Sequence, residues 1–224
     1  MKITFYGHAC LGIQIKDTHI LVDPFITGNE RASSIDIDSI KADYILVTHA
    51  HQDHTLDVEA VAKRTGAVIV SNYEIVMHYQ NLGLKGHPMN HGGSWKFDFG
   101  KVKYVNAVHT SSFPDGSYGG QPGGFVIQAD KTLYIAGDTA LTYDMKLIGK
   151  HYDLDLAVLP IGDNFTMGVD DALIACRFID CHRILGYHYD TFGYIEIDKP
   201  QAVAKFDARL KRLILLDIGE SMEV

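Results

Sequence analysis

Short apolar runs of three to eight residues recur along the chain, bounded by glycine, asparagine and aspartate. Rich in β-branched and aromatic types, they predict strands over 3–5, 11–15, 20–22, 44–47, 68–70, 95–99, 102–108, 125–127, 133–136, 156–159, 184–187 and 213–216. A helical period replaces this pattern over 56–64, where apolar residues fall at 58, 61 and 62. A second helix is expected over 73–82, opened by Asn72 and closed by Gly83. Others are expected over 145–152, 169–179 and 200–210, the last starting on Pro200 as helix starts tolerate. Hairpins come first and strand–helix alternation later, which predicts sheets covered by helices on their outer faces, not a fully parallel doubly wound fold. Several apolar runs end in an acid: Asp23, Asp138, Asp163 and Asp217. Carboxylates so placed can gather along one edge of a sheet.

Nothing in the pattern divides the chain. The glycine-rich stretch 116–124 lies between strands and reads as a loop, so residues 1–224 are expected to form one domain. No apolar window is long enough to span a membrane, and the first residues lack the apolar stretch and cleavage site of a signal peptide. The three cysteines, Cys10, Cys176 and Cys181, form no close pair and suit free thiols in a reducing cytoplasm. Lys and Arg number 20 against 28 Asp and Glu, a net charge of −8, which argues against a nucleic-acid partner. The sequence leaves a homo-oligomer open.

The 12 histidines are the unusual feature of the composition. Three of them sit in Thr48-His49-Ala50-His51-Gln52-Asp53-His54, directly after the strand at 44–47. A strand-to-helix turn can aim all four ligand-type side chains into one concavity, whereas a strand would split neighbours between faces. Imidazoles and a carboxylate suit Zn²⁺ first, and Mn²⁺ or Fe as well.

His49-Ala50-His51-Gln52-Asp53-His54 resembles the HxHxDH signature of the metallo-β-lactamase superfamily, and the likeness extends over nearly the whole chain. It implies an α+β, four-layer αββα sandwich: two mixed sheets packed face to face, helices outside, and a two-metal site at one edge. It also implies the ligands. His49, His51 and His109 would hold the first ion; Asp53, His54 and His188 the second; Asp138 would bridge them. Gly7-His8-Ala9, Asp23-Pro24 and Pro160-Ile161-Gly162-Asp163 are similar to a narrower branch of metal-dependent hydrolases related to the ascorbate-6-phosphate lactonases. In that branch a histidine near the N-terminus approaches the site, so His8 is expected to donate a proton or orient substrate. Asp23 and Asp163 are candidates to anchor metal-bound histidines, and Thr139 to hydrogen-bond the Asp138 carboxylate.

The expected chemistry is a metal-dependent hydrolysis, in which two ions activate water against a carbonyl or phosphorus and Asp53 or His8 delivers a proton to the leaving group. No Lys or Arg lies between Lys103 and Lys131, between Lys131 and Lys146, or between Lys150 and Arg177. That favours a small-molecule ester, lactone or phosphoester over RNA. Arg31 is the one basic residue in a plausible substrate loop, and Phe113 and Tyr118 are candidates for an apolar wall. The rivals are a metal-dependent nuclease of the same superfamily and a non-hydrolytic redox module.

Overall fold

The computed structural model describes residues 1–224. In chain order the strands are β1 (Lys2–Gly7), β2 (Cys10–Ile15), β3 (Thr18–Val22), β4 (Tyr44–Leu46), β5 (Val68–Asn72), β6 (Gly86–Met89) and β7 (Ser94–Phe97). They continue as β8 (Gly100–Asn106), β9 (Gly123–Gln128), β10 (Thr132–Ile135), β11 (Leu156–Pro160), β12 (Arg183–Tyr187), β13 (Arg212–Ile214) and β14 (Ser221–Glu223). The helices are α1 (Gln52–Thr55), α2 (Val58–Thr65), α3 (Tyr73–Asn81), α4 (Met145–His151), α5 (Val169–Phe178) and α6 (Lys199–Asp207).

Two seven-stranded sheets form, ordered β14-β1-β2-β3-β4-β5-β6 and β13-β12-β11-β10-β9-β8-β7. They share one plan. In the first sheet β14, β1, β2 and β3 pair antiparallel, then β3 to β6 pair parallel. In the second, β7 to β10 pair antiparallel and β10 to β13 parallel. Thus β1 corresponds to β8, β3 to β10 and β4 to β11. Strands β1, β3, β4 and β5 run the same way, as do β8, β10, β11 and β12, so each sheet gathers its strand ends along one edge.

The period of two sorts the side chains into layers. In β10, Leu133 and Ile135 point between the sheets and Tyr134 points outward; in β3, Ile20 and Val22 point in and Leu21 out. The inner layer joins these to Phe5, Leu46, Phe125, Val158 and Tyr187. Outside the first sheet, Val58, Val61, Ile75 and Tyr79 of α2 and α3 cover Leu21, Ile45 and Ile69. Outside the second, Met145, Ala175, Cys176 and Phe206 of α4, α5 and α6 cover Tyr134, Ala157 and Ile184. This is the αββα sandwich. Each buried Leu, Ile or Phe contributes about 1.5–3 kcal/mol, and buried cysteines simply pack as small apolar groups. All three cysteines are free and buried. No helix is long and apolar enough to cross a membrane.

Two strands were not expected. β6 (Gly-His-Pro-Met) and β14 (Ser-Met-Glu) are short edge strands without an alternating pattern, formed because the neighbouring strand offers its ladder. The helix expected over 56–64 is α2, and it is preceded by a separate, unexpected helical turn, α1. Asp57 lies between them, and its carboxylate takes the backbone N–H groups of Ile26 and Thr27 and the Thr27 hydroxyl.

Candidate metal centre

At the shared edge, the chain leaves its strands abruptly. His8 after β1, Asp23 after β3 and His188 after β12 all adopt left-handed φ, at 53°, 44° and 55°. A non-glycine residue in that region costs roughly 1–3 kcal/mol, and such strain is retained mostly where function needs the geometry. It turns three polar side chains inward instead of letting the strands run on. Gly137, at φ 69°, does the same just before Asp138, and a Cβ there would stand 2.5 Å from the Gly123 carbonyl. The two sheets are tied at this edge by the His188 N–H donating to the His8 carbonyl at 2.8 Å.

The turn after β4 brings His49, His51, Asp53 and His54 into the gap. The glycine-rich loop closes over it: Gly119 packs so tightly on Ala50 that a Cβ would collide with the alanine methyl, and the Ala50 N–H donates to Ser111 Oγ. His49, His51 and His109 bring one ligand atom each within 4.8 Å of one another; His49, His54 and Asp138 do likewise, as do His8, Asp53, His54 and His188. Asp138 Oδ2 lies 2.9 Å from His188 Nε2, 3.3 Å from His54 Nε2, 3.6 Å from His109 Nε2 and 3.9 Å from His49 Nε2. All seven residues expected as ligands therefore meet in one cluster, with Asp138 at its middle.

Hydrogen bonds fix which nitrogen each ring presents. Asp23 is fully buried; its carboxylate accepts the Thr48 N–H at 2.8 Å, the Thr48 hydroxyl at 2.7 Å and His54 Nδ1–H at 2.8 Å. The Thr48 proton being spent on Asp23, its oxygen accepts His49 Nδ1–H at 3.0 Å. One carboxylate thus orients two rings, leaving Nε2 of His49 and His54 directed into the cluster. Asp23 anchors His54, as expected. Thr48 was not expected, and its position next to His49 is the only signal the sequence carries for it.

Burial and charge act on the cluster in opposite directions. Burial opposes ionisation of Asp138 and Asp53, but His188 and His54 beside the first, and His54, His188 and His8 around the second, outweigh it and hold both carboxyls far below their usual range. Burial also opposes charge on His54 and His188, yet Asp138 with Asp23 raises the former and Asp138 with Asp53 carries the latter to about 9. Burial lowers His49, His51 and His109, and with His188 it lowers His8 to about 4.

The donor set fits divalent ions. His54 Nε2, both ring nitrogens of His188 and Asp138 Oδ1 are buried and have no hydrogen-bond partner, a costly arrangement for a protein alone. Two donors held about 2.1 Å from one ion stand ~3.0 Å apart at a right angle and ~3.4 Å at a tetrahedral one. The observed separations around Asp138 and Asp53 run from 2.9 to 3.9 Å.

Three expectations are corrected. Thr139 does not support the Asp138 carboxylate: its hydroxyl accepts the Val108 N–H and donates to the Ala140 carbonyl, so it ties the His109 loop to the Asp138 loop. Asp163 anchors no histidine, since it is exposed and its carboxylate takes only the Asn164 N–H. Phe113 lines no substrate wall but is buried against α3, stacked on His78 at 3.9 Å. His8, expected to donate a proton or orient substrate, is buried with Nδ1 on Thr191 Oγ1 at 2.9 Å and Nε2 facing Asp53 Oδ2 at 3.0 Å. Thr191 lies in a loop with nothing in its sequence to mark it. Arg31 is exposed and lines a cleft of 380 Å³ with His8, Thr191 and Lys199.

Such a sandwich, with its ligand-bearing turns on one edge, defines a member of the β-lactamase superfamily, and residues 18–189 match the family model described as the β-lactamase superfamily domain. More narrowly, the chain belongs to the UPF0173 metal-dependent hydrolases. The relative so named from Christiangramia forsetii is 69% identical over 226 residues, covering 100% of both chains. That from Flavobacterium johnsoniae is 67% identical over 225 residues, again covering 100% of both. Among solved structures, Igni18, a metallo hydrolase from the archaeon Ignicoccus hospitalis, superposes with a TM-score of 0.90 at 32% identity, covering 100% of this chain and 98% of that one.

Proposed function

We propose that this metal-dependent hydrolase uses two divalent ions to cleave a small-molecule ester, lactone or phosphoester. One observation carries the reading: the seven side chains meet in overlapping groups at one edge, and four of their atoms are buried without a partner. His49, His51 and His109 would hold one ion, Asp53, His54 and His188 the other, and Asp138 would stand between. When bound, such ions would supply a water of lowered pKa and polarise the target oxygen, so no serine or cysteine nucleophile would be needed.

The protein's own part is to present the ligands in fixed tautomers and to move a proton. Asp53 has a side chain 27% exposed against 3% for Asp138, so it is the acid of the cluster that reaches both the site and solvent. It is the group placed to carry a proton to a leaving group. The choice of substrate rests on charge: with −8 overall and no Lys or Arg in the loops carrying His109 and Asp138, a long polyanion finds little to neutralise it. Phe165, Phe192 and Tyr194 are exposed on the loops after β11 and β12, and Phe165 meets Tyr194 edge to face at 6.1 Å. They offer apolar surface to a small organic molecule. The resemblance to ascorbate-6-phosphate lactonases makes lactones and phosphoesters the first compounds to try.

The test is to strip the protein with a chelator and restore Zn²⁺, Mn²⁺ or Fe²⁺ separately. Each form is then assayed on an aryl ester, a lactone, a phosphodiester and RNA. Turnover of a small substrate that returns only with metal supports the reading. Turnover indifferent to the chelator, or confined to RNA, overturns it.

A further inference from the structure

We infer that His8 is itself a metal ligand, donating Nε2 to the same ion as Asp53, His54 and His188, and that Thr191 holds it in the tautomer this requires. The inference rests on the two-ion reading above and adds a ligand the HxHxDH pattern does not contain.

Three observations carry it. The first is position. His8 Nε2 lies 3.0 Å from Asp53 Oδ2, and its ligand atom falls within 4.8 Å of those of Asp53, His54 and His188. A right-angle pair of donors on one ion is ~3.0 Å apart. The second is the tautomer open to the ring. The Thr191 hydroxyl also has the Tyr189 carbonyl at 3.4 Å to donate to, which leaves its oxygen able to accept His8 Nδ1–H at 2.9 Å. In that tautomer Nε2 is a bare lone pair facing the Asp53 carboxylate, the arrangement an ion beside both would select. Two acceptors at hydrogen-bond distance repel unless a cation lies beside both. The third is the shared plan of the sheets. β1 and β8 hold the same place in their sheets, and His8 follows β1 as His109 follows β8. His109 completes the group of His49 and His51; His8 completes the group of Asp53, His54 and His188.

The backbone supports the assignment. His8 and His188 both take left-handed φ, their backbones bond each other across the sheets, and their rings lie 4.2 Å apart. The strain at His8 puts its ring beside a ligand of that ion and not out in solvent.

The experiment is NMR of protein labelled with ¹⁵N in histidine and loaded with ¹¹³Cd²⁺. A one-bond ¹¹³Cd–¹⁵N coupling at His8 Nε2, alongside those of His54 and His188, is the expected result. Couplings at His54 and His188 with a protonated, uncoupled His8 Nε2 would overturn the inference and leave the metal site standing. No coupling at any histidine would remove the two-ion reading and this inference with it. As a second measurement, Thr191→Val should weaken retention of one ion ~10-fold in competition with a chelator, since supports of metal ligands typically matter by that factor or more. Unchanged retention of both ions would take Thr191 out of the assignment.

Discussion

Replacing Asp23 by asparagine keeps the shape of the site and reverses its proton arrangement. The Oδ1 of the new amide can still accept the Thr48 N–H, now held at 2.8 Å. The amide NH₂ takes the place of Asp23 Oδ2, which accepts from both Thr48 Oγ1 and His54 Nδ1. His54 Nδ1 must then accept, so its proton moves to Nε2, the atom facing Asp138 at 3.3 Å. The freed Thr48 proton turns to His49 Nδ1, and the second ring changes tautomer as well. Loss of a supporting hydrogen bond typically costs 10–100-fold in metal affinity, or about 1.4–2.8 kcal/mol for each imidazole. The metal-free fold should lose much less. Burial pushes the Asp23 carboxyl up despite His54 and Thr48, so the neutral amide escapes a desolvation cost that offsets its weaker hydrogen bonds. A net loss of about 1 kcal/mol lowers the melting temperature by ~2–4 °C in a protein of this size. Asp23→Ala, by contrast, leaves a buried N–H and a buried imidazole unpartnered and should cost ~3–5 kcal/mol. Calorimetry in chelator, paired with competitive Zn²⁺ titration, separates the two effects. Asp23→Asn with wild-type Zn²⁺ affinity would refute the tautomer argument.

Gly137→Ala should lower the melting temperature by more than ~4 °C, from a loss above ~2 kcal/mol, and reduce metal content, because the new Cβ meets a backbone oxygen at left-handed φ; a stable, fully loaded variant would show that the turn before Asp138 is not constrained. Burial pushes Cys10, Cys176 and Cys181 up, Cys176 to about 12. Their contribution to stability is complete below the unfolded thiol value of ~8.5 and is lost as pH rises from there towards the folded values. The melting temperature in chelator should therefore fall from pH 8 to 10, and a rise over that interval contradicts the sign. Cleavage of tRNA should be negligible beside that of a small substrate; fast cleavage with steep salt dependence would show that the charge argument fails.

The layers were legible because inward and outward residues alternate in strands such as β3 and β10, and because the parallel strands at 156–160 and 183–187 are apolar on both faces. The residues of the cluster were legible because each follows a strand in the sequence. What the sequence hid is non-local. β6 and β14 owe their extended form to a neighbour's ladder, and the start of α2 after Asp57 owes its place to the loop at 26–27 that the carboxylate holds. Thr139 and Thr191 are both hydroxyls near a ligand in sequence. Only the fold decides that the first bonds backbone and the second a histidine ring. Asp163 sits at a strand end like Asp23, but after β11, where no histidine faces it.

Metal stoichiometry tests the central claim most directly. Chelator-stripped protein is titrated with Zn²⁺ or Mn²⁺ by calorimetry, and bound metal is counted by elemental analysis, for the wild type and for Asp138→Ala. The account predicts two ions per chain in the wild type and loss of at least one in the variant, with folding retained in far-UV circular dichroism. A folded wild-type protein that takes up no ion, or an Asp138→Ala variant that keeps two with unchanged affinity, would contradict it.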